Sequence, residues 1–408
     1  MTRQPALVLL PQPAWPLDDG GRVGLWQITW SMARFYDTTI LMMLPPGREA
    51  GPTPPELLAL GARVVAVPHV PPRGILAVWK GLAGPWPYTL ARYRSAAFSA
   101  AVARAVAEVR PRVAMVNHLH LATYADNLGT TPFVLRQHNV ESVWLERYSG
   151  TLRGPARWYA RGQAARMRTA EARLCERADL VLAIHPEEAA AIRALAPRAR
   201  VEIVPVGVDF ARFQDPRPGL PPVVLLTGSF RWPPNAEGAR RFLLQGWPRV
   251  LDRVPDARLR LVGKGLEGTL VAQARRSGAE PVGYVDDIAP EFAAATAVVV
   301  PLWTGAGMRV KIVEAMAARV PVVATPVAAE GLGIERGVHF ECADDAEELG
   351  CRVADLLCDP ERARALAGAA HAYGVGRYSL ERVAGLTAQL CESVVGARRG
   401  PGGEETGD

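Results

Sequence analysis

The stretch GAGMRVKIVEAMAARVPVVATPVAAEGL, Gly305 to Leu332, decides how the rest of the chain is read. It follows the apolar run AVVVPL (297–302) and closes on a second, VPVVAT (320–325), with a helical pattern over 309–318 between them. Continuous rather than alternating apolar runs suit strands covered on both faces, so strand, helix and strand form one parallel unit. Gly305 and Gly307 free the backbone just ahead of the helix, while Arg309, Lys311 and Glu314 occupy its opening turns. Lys311 is one of three lysines in a chain with 47 Lys+Arg residues.

The same alternation runs outward through most of the 408 residues. Strands are predicted at 6–10, 38–44, 63–67, 112–117, 132–137, 180–184 and 201–206, then at 223–228, 258–263, 297–302 and 320–325. Helices are predicted at 22–34, 90–109, 155–178, 235–246, 309–318 and 346–357. This is the signature of doubly wound α/β sheets, in which ligands sit beyond the carboxyl ends of strands. The Pro- and Gly-rich segment GVDFARFQDPRPGLPP (207–222) separates the two series. It predicts an N-terminal domain over 1–206 and a C-terminal domain over 207–378. A last helix, about 380–395, has no following strand and is expected to pack back on the first domain. The tail from 396 is expected to be disordered.

Composition narrows the class. The chain is 49% apolar and 22% charged, with a net charge of +6, which favours anionic partners without requiring nucleic acid. Five cysteines show no CxxC and no metal-ligand spacing with the seven histidines, which predicts reduced core thiols. No run approaches the roughly 18 apolar residues of a membrane span. The expected location is cytoplasmic, with peripheral contact to the inner face of a membrane as an option. That option rests on two basic stretches. Thr151 to Arg177 carries seven arginines against two glutamates, and Trp79 to Arg94 mixes aromatics with cations. A solvated helix whose arginine stems cover the sheet is the plainer reading of the first.

Nucleotide-binding signatures of other classes are missing: the first strand is not followed by G-x-G-x-x-G, and no GxxxxGK[ST] occurs. Cationic strand ends remain. In LDDGGRVGL, Gly20 and Gly21 open a helix whose amides suit an anion; the alternative is a plain N-cap by Asp18 or Asp19. In TGSFRWPPNAEGARRF, Gly228 ends a strand, Arg231 projects into the loop and Asn235 is expected to cap the next helix. LVGKG places Lys264 between two glycines. Two cations at adjacent strand ends suit a diphosphate leaving group, against the plainer reading of solvated surface charge. Val285, in GYVDD, offers backbone to a flat base, and Asp286 and Asp287 are read only as helix caps. Glu314, three residues after Lys311, can accept bonds from a ribose diol; an intrahelical Lys–Glu pair is the alternative.

Taken together, GAGMRVKIVEAMAARVPVVATPVAAEGL, TGSFRWPPNAEGARRF, LVGKG, GYVDDIAPEFAAATAVVVPL, DDGGR and FVLRQHNVESVWLERY closely resemble the blocks of the retaining GT-B glycosyltransferases of the large "group one" family, which includes sucrose-phosphate synthases and mannosyltransferases. The resemblance covers most of the chain. It implies a GT-B fold, two Rossmann-like domains facing a central cleft, and transfer of a sugar from a UDP-, GDP- or ADP-sugar to a hydroxyl acceptor without a metal. It further implies that Arg231 and Lys264 hold the diphosphate, that Glu314 holds the ribose, that His138 faces the donor sugar and that Gly20, Gly21, Gly228, Val285, Gly305, Gly307, Met308, Arg309 and Lys311 line the donor. His138 otherwise reads as a strand-end histidine bonded to backbone. One departure stands out: the family often has a glutamate where this chain has Ala306. A nucleotide-sugar epimerase and a catalytically silent sugar-nucleotide scaffold are the alternatives this leaves.

Overall fold

The computed structural model describes residues 3–17, 20–45, 51–72, 81, 84–213, 219–305 and 309–399. The chain forms two compact units. One comprises the start of the chain, Gly21–Pro205 and the segment from Val383 onward; the other is built mainly from Val206–Arg382.

The first unit holds a seven-stranded parallel sheet. Its strands are β1 (Pro5–Leu10), β2 (Asp37–Leu44), β3 (Arg63–Pro68), β4 (Val113–Asn117), β5 (Phe133–Arg136), β6 (Leu180–Ala183) and β7 (Val201–Ile203), in the order β3-β2-β1-β4-β5-β6-β7. β4 and β5 are buried at every residue, as continuous Val/Leu/Ala runs require when helices cover both faces. One face packs Leu7, Leu9, Phe98, Val116, Leu135 and Met167 together. The other packs Val8, Ile28, Met115 and Leu182 with Val383, Cys391 and Val394 from the last helix, Leu380–Arg399. Tyr36 Oη anchors that helix by donating to Glu392 Oε1 at 2.7 Å. The helix runs past Val395 to Arg399; the remainder of the expected disordered tail lies outside the described residues.

The second unit holds six parallel strands, β8 (Val223–Thr227), β9 (Arg258–Val262), β10 (Glu280–Gly283), β11 (Ala297–Val300), β12 (Val322–Ala324) and β13 (Glu341–Cys342), in the order β10-β9-β8-β11-β12-β13. β10 and β13 escape the sequence reading because EPVG and EC are too short and polar to stand out. The nineteen-residue helix Pro360–Tyr378 escapes it too; it opens on Asp359, which accepts from Arg362 N. In each sheet the strand order reverses once, between β1 and β4 and between β8 and β11. Loops leaving the carboxyl ends of those pairs diverge and leave a crevice.

Candidate active site

In the second unit the loops after β8 and β9 are joined main chain to main chain: Gly228 N donates to Val262 O at 3.0 Å and Phe230 N to Lys264 O at 2.7 Å. This fixes Arg231 and Lys264 on adjacent loops. Arg231 is exposed, and the Lys264 ammonium stands 4.6 Å from the centre of the Tyr284 ring. Gly228 has φ 147°, and a Cβ there would come within 2.6 Å of Lys311 Nζ and 2.9 Å of Asn235 Nδ2. Only glycine leaves room for that ammonium at the strand end.

Lys311 Nζ donates to Asn235 Oδ1 at 3.0 Å, and Asn235 Nδ2 donates to Ser229 O at 2.9 Å. The expectation that Asn235 caps the next helix is therefore corrected. That helix, Pro233–Arg241, has Trp232 at its N-cap, and the Asn235 amide inside it ties Lys311 to the β8 loop instead. Of the two aspartates read as caps, Asp287 accepts from Ala289 N and from Arg212.

After β11 the chain reaches Gly305 at φ 126°, where a Cβ would stand 2.5 Å from the Trp232 ring. Arg309 packs its guanidinium 5.8 Å from the centre of the same ring and is 6% exposed. Ala306, Gly307 and Met308 lie outside the described residues. Arg309 is the N-cap of the helix Val310–Ala317, whose apolar face (Ile312, Val313, Met316) is buried and whose other face carries Lys311 and Glu314. No ion pair joins those two among the described residues. Burial pushes the Lys311 ammonium down to about 8; Arg309 adds to this and Glu314 opposes it. Burial likewise pushes Glu314 up to about 7, against the pull of Arg212 and Lys311. Val285 is half-buried and packs on the core below this site.

In the first unit His138 follows β5. Its ring stacks on His118, 3.9 Å between centres and 5° from parallel, and its Nε2 is buried with no hydrogen-bond partner among the described residues. The alternative of a strand-end histidine bonded to nearby backbone is not met at Nε2. His118 and His120 come directly after β4 and carry no expectation from sequence, although two histidines immediately beyond a predicted strand are a usable signal. His118 adopts φ 66°, sparsely populated for a side-chain-bearing residue. Burial lowers His118 to about 3 and His120 to about 4, and holds His138 well below its usual value, with neighbouring His and Arg groups adding to this. All three are neutral imidazoles at neutral pH.

Glu171 holds this loop in place. Fully buried on the helix Gly154–Arg177, it accepts from Glu141 N and Ser142 N at 2.9 Å each and from Gln137 Nε2 at 3.2 Å. It supplies the negative group at the start of the helix Glu141–Thr151. Burial raises Glu171, and it pushes the nearby Glu141 up to about 7, with Glu171 and Glu188 adding. On the same arginine-rich helix, Arg166 donates to the carbonyls of Gly81 and Gly84 and Arg173 lies 4.7 Å from the centre of the Trp86 ring, so part of its charge serves internal loops. Gly20 and Gly21 form the first turn of the helix Gly20–Phe35; Asp18 and Asp19 lie outside the described residues. No helix among the described residues is long and apolar enough to cross a membrane.

Two parallel sheets, one with basic loops and the other with histidine-bearing loops at the carboxyl ends of their strands, define an α/β protein, and the comparisons place the chain more narrowly. Residues 221–359 match the family model described as glycosyl transferases group 1, and residues 20–207 match the glycosyl transferase 4-like domain. The chain belongs to the group 1 glycosyltransferases, of GT-B fold. Similar solved structures include the sucrose-phosphate synthase of Thermosynechococcus elongatus (19% identity, covering 97% of this chain and 100% of that one, TM-score 0.69). HepE of Anabaena in complex with UDP and glucose is similar at 18% identity, over 95% and 99% of the two chains, with a TM-score of 0.65. WaaG, a glycosyltransferase involved in lipopolysaccharide biosynthesis, is similar at 15% identity over 94% and 99%, also at 0.65. No curated protein gives a significant sequence match.

Proposed function

We propose that this glycosyltransferase moves a sugar, with retention of anomeric configuration, from a nucleoside diphosphate sugar to a hydroxyl acceptor. The observation that carries the reading is the clustering in the second unit. Arg231 and Lys264 leave adjacent strand ends, Lys311 is held against Gly228, and Glu314 lies on the same helix as Lys311. Arg231 and Lys264 stabilise the departing diphosphate, Lys311 and the amides at the start of its helix share that load, and Glu314 accepts from the ribose hydroxyls. The exposed Tyr284 ring beside Lys264 is a platform for the base.

In this reading the acceptor oxygen attacks the face from which the diphosphate leaves. The C–O bond to the diphosphate breaks as the new glycosidic bond forms, and a diphosphate oxygen takes the acceptor proton. Three basic side chains supply the positive charge a divalent metal would otherwise bring, so transfer needs no metal. His138 faces the donor sugar as a neutral hydrogen-bonding group. The enzyme acts in the cytoplasm, where the exposed arginines of the Gly154–Arg177 helix favour contact with an acidic membrane face.

The test is a panel of labelled UDP-, GDP- and ADP-sugars with and without EDTA, reading product configuration by NMR. Retained configuration with undiminished turnover in EDTA is expected. Inverted product, or turnover lost to EDTA and restored by a divalent ion, contradicts the proposal. Nucleotide binding without turnover of any donor would favour a silent scaffold, and a C2-inverted sugar nucleotide an epimerase.

A further inference from the structure

Of the seven histidines, four engage a ring nitrogen with the protein: His69 with Arg92 O, His185 with Glu187, His339 with Glu335 N and His371 with Met316 O. The three beyond β4 and β5 do not. His138 has its Nε2 buried without a partner among the described residues. His118 and His120 are half-buried, and among the described residues neither ring has a hydrogen bond, nor has the Glu141 carboxyl beside them. One nitrogen from each of these two rings and one Glu141 oxygen lie within 4.8 Å of one another. The backbone is strained where this happens. His118, at φ 66° and ψ 142°, sits in a region that favours glycine and caps the short helix Leu119–Ala122. Such conformations persist only where the surroundings impose them, and they cluster at functional sites.

The donor set selects the ligand. An anion would meet the Glu141 carboxyl at close range. Two imidazoles and a carboxylate suit a borderline divalent ion, zinc above all, whereas magnesium and calcium take oxygen ligands. Tetrahedral ligands about 2.1 Å from zinc stand about 3.4 Å apart, so side-chain rotations of about an ångström close the site. Surrounding charge is mixed. Arg92 acts on His120 and Arg136 on His118, while Glu171 and Glu188 both act on Glu141 and Glu188 also acts on Arg136. A cation beside Glu141 relieves the repulsion among those three carboxyls. We propose that His118, His120 and Glu141 form a three-ligand site for a zinc-class divalent cation, its fourth position open to the pocket that His120 and Glu141 line. The ion stands apart from the transfer chemistry proposed above. It ties the loop after β4 to the start of the helix Glu141–Thr151.

Titration of zinc chloride into the EDTA-treated, dialysed full chain, without nucleotide, tests this calorimetrically. One site per chain is expected for zinc and none for magnesium. His120→Asn and Glu141→Gln should each weaken zinc binding at least about a hundredfold, because the outer-shell partners of a metal ligand alone are worth about 10- to 100-fold. His185→Asn, which removes the exposed histidine–carboxylate pair with Glu187, should bind zinc as the parent does. Cobalt(II) added to the parent should give the intense visible absorption of a tetrahedral site, a readout that needs no variant to fold. No zinc bound, zinc affinity unchanged in His120→Asn and Glu141→Gln, or cobalt without tetrahedral bands overturns the proposal. Equal loss in His185→Asn, or magnesium bound as tightly as zinc, overturns it too. None of these outcomes touches donor turnover, which is measured in EDTA.

Discussion

The two units carry opposite solutions to placing polar groups at the ends of a parallel sheet. In the first, three histidines are held neutral chiefly by burial, and burial with neighbouring carboxylates pushes Glu141 up to about 7. In the second, Arg231 is exposed, Lys264 and Lys311 are half-buried, Arg309 is buried against Trp232, and Lys311 is held by a single amide. A site of neutral donors and acceptors suits hydroxyl-rich ligands. A site of cations with one glutamate suits a diphosphate and a ribose. Under the proposed transfer, the contrast assigns sugar to the first unit and phosphate to the second.

The largest effect that would sharpen this contrast is on turnover. Arg231→Ala or Lys264→Ala should lower kcat about 10²- to 10³-fold, the range for removing a group aimed at developing negative charge. Steady-state kinetics with the best donor of the panel checks this, and a loss confined to KM would place these cations in ground-state binding only. Next, Glu171→Gln keeps the shape but removes the charge that accepts from Glu141 N and Ser142 N. It should cost about 1–3 kcal/mol of stability by denaturant unfolding, because a charged acceptor of buried N–H groups is weakened.

Smaller, but more telling, is the pH dependence, which differs in sign between the histidines of the first unit and Glu314 of the second. The histidines have lowered values in the folded chain, so between about 3 and 6.5 the unfolded chain binds protons the folded one refuses. Their contribution to stability is therefore present near neutral pH and lost as pH falls. Glu314 is raised from 4.5 to about 7, so in that window the folded chain holds the extra proton and its contribution falls as pH rises. Lys311, lowered from 10.5 to about 8, contributes stability that rises with pH between those values. Unfolding followed from pH 4 to 7 should show His138→Asn flattening the acid slope and Glu314→Gln steepening it. Equal effects from both variants would erase the distinction. Nucleotide binding should also exchange protons. Release is expected just below pH 7 as Glu314 ionises against the ribose, and uptake above pH 8 as Lys311 charges against phosphate. Calorimetry in buffers of different ionisation enthalpy reads both.

Legibility in the sequence divides along the same line. Most of the eleven predicted strands could be read because a buried parallel strand needs an unbroken apolar run. The basic loops could be read because glycine and cations sit beside such runs in sequence. What escaped depends on contacts far apart in the chain. Asn235 reads as a helix cap until Lys311, 76 residues on, is seen to take its amide oxygen. Glu171 lies mid-helix in an arginine-rich segment, and nothing local says that it receives the amides of Glu141 and Ser142. The pairing of His118 with His138 needs the β4–β5 register, which brings Asn117 opposite Arg136 and so the two following loops together. Trp232, which packs against Gly305 and Arg309, carries no mark of those contacts in its own stretch of sequence.

The central claim is that the second unit holds the donor diphosphate and ribose through Lys264 and Glu314. Isothermal titration of the intact chain and of Lys264→Ala and Glu314→Ala with UDP, GDP and ADP tests it most directly. The account predicts one preferred nucleotide, bound at least about tenfold more weakly by each variant, the loss expected when a charge-assisted hydrogen bond is removed. Affinity for that nucleotide left unchanged in both variants would contradict it.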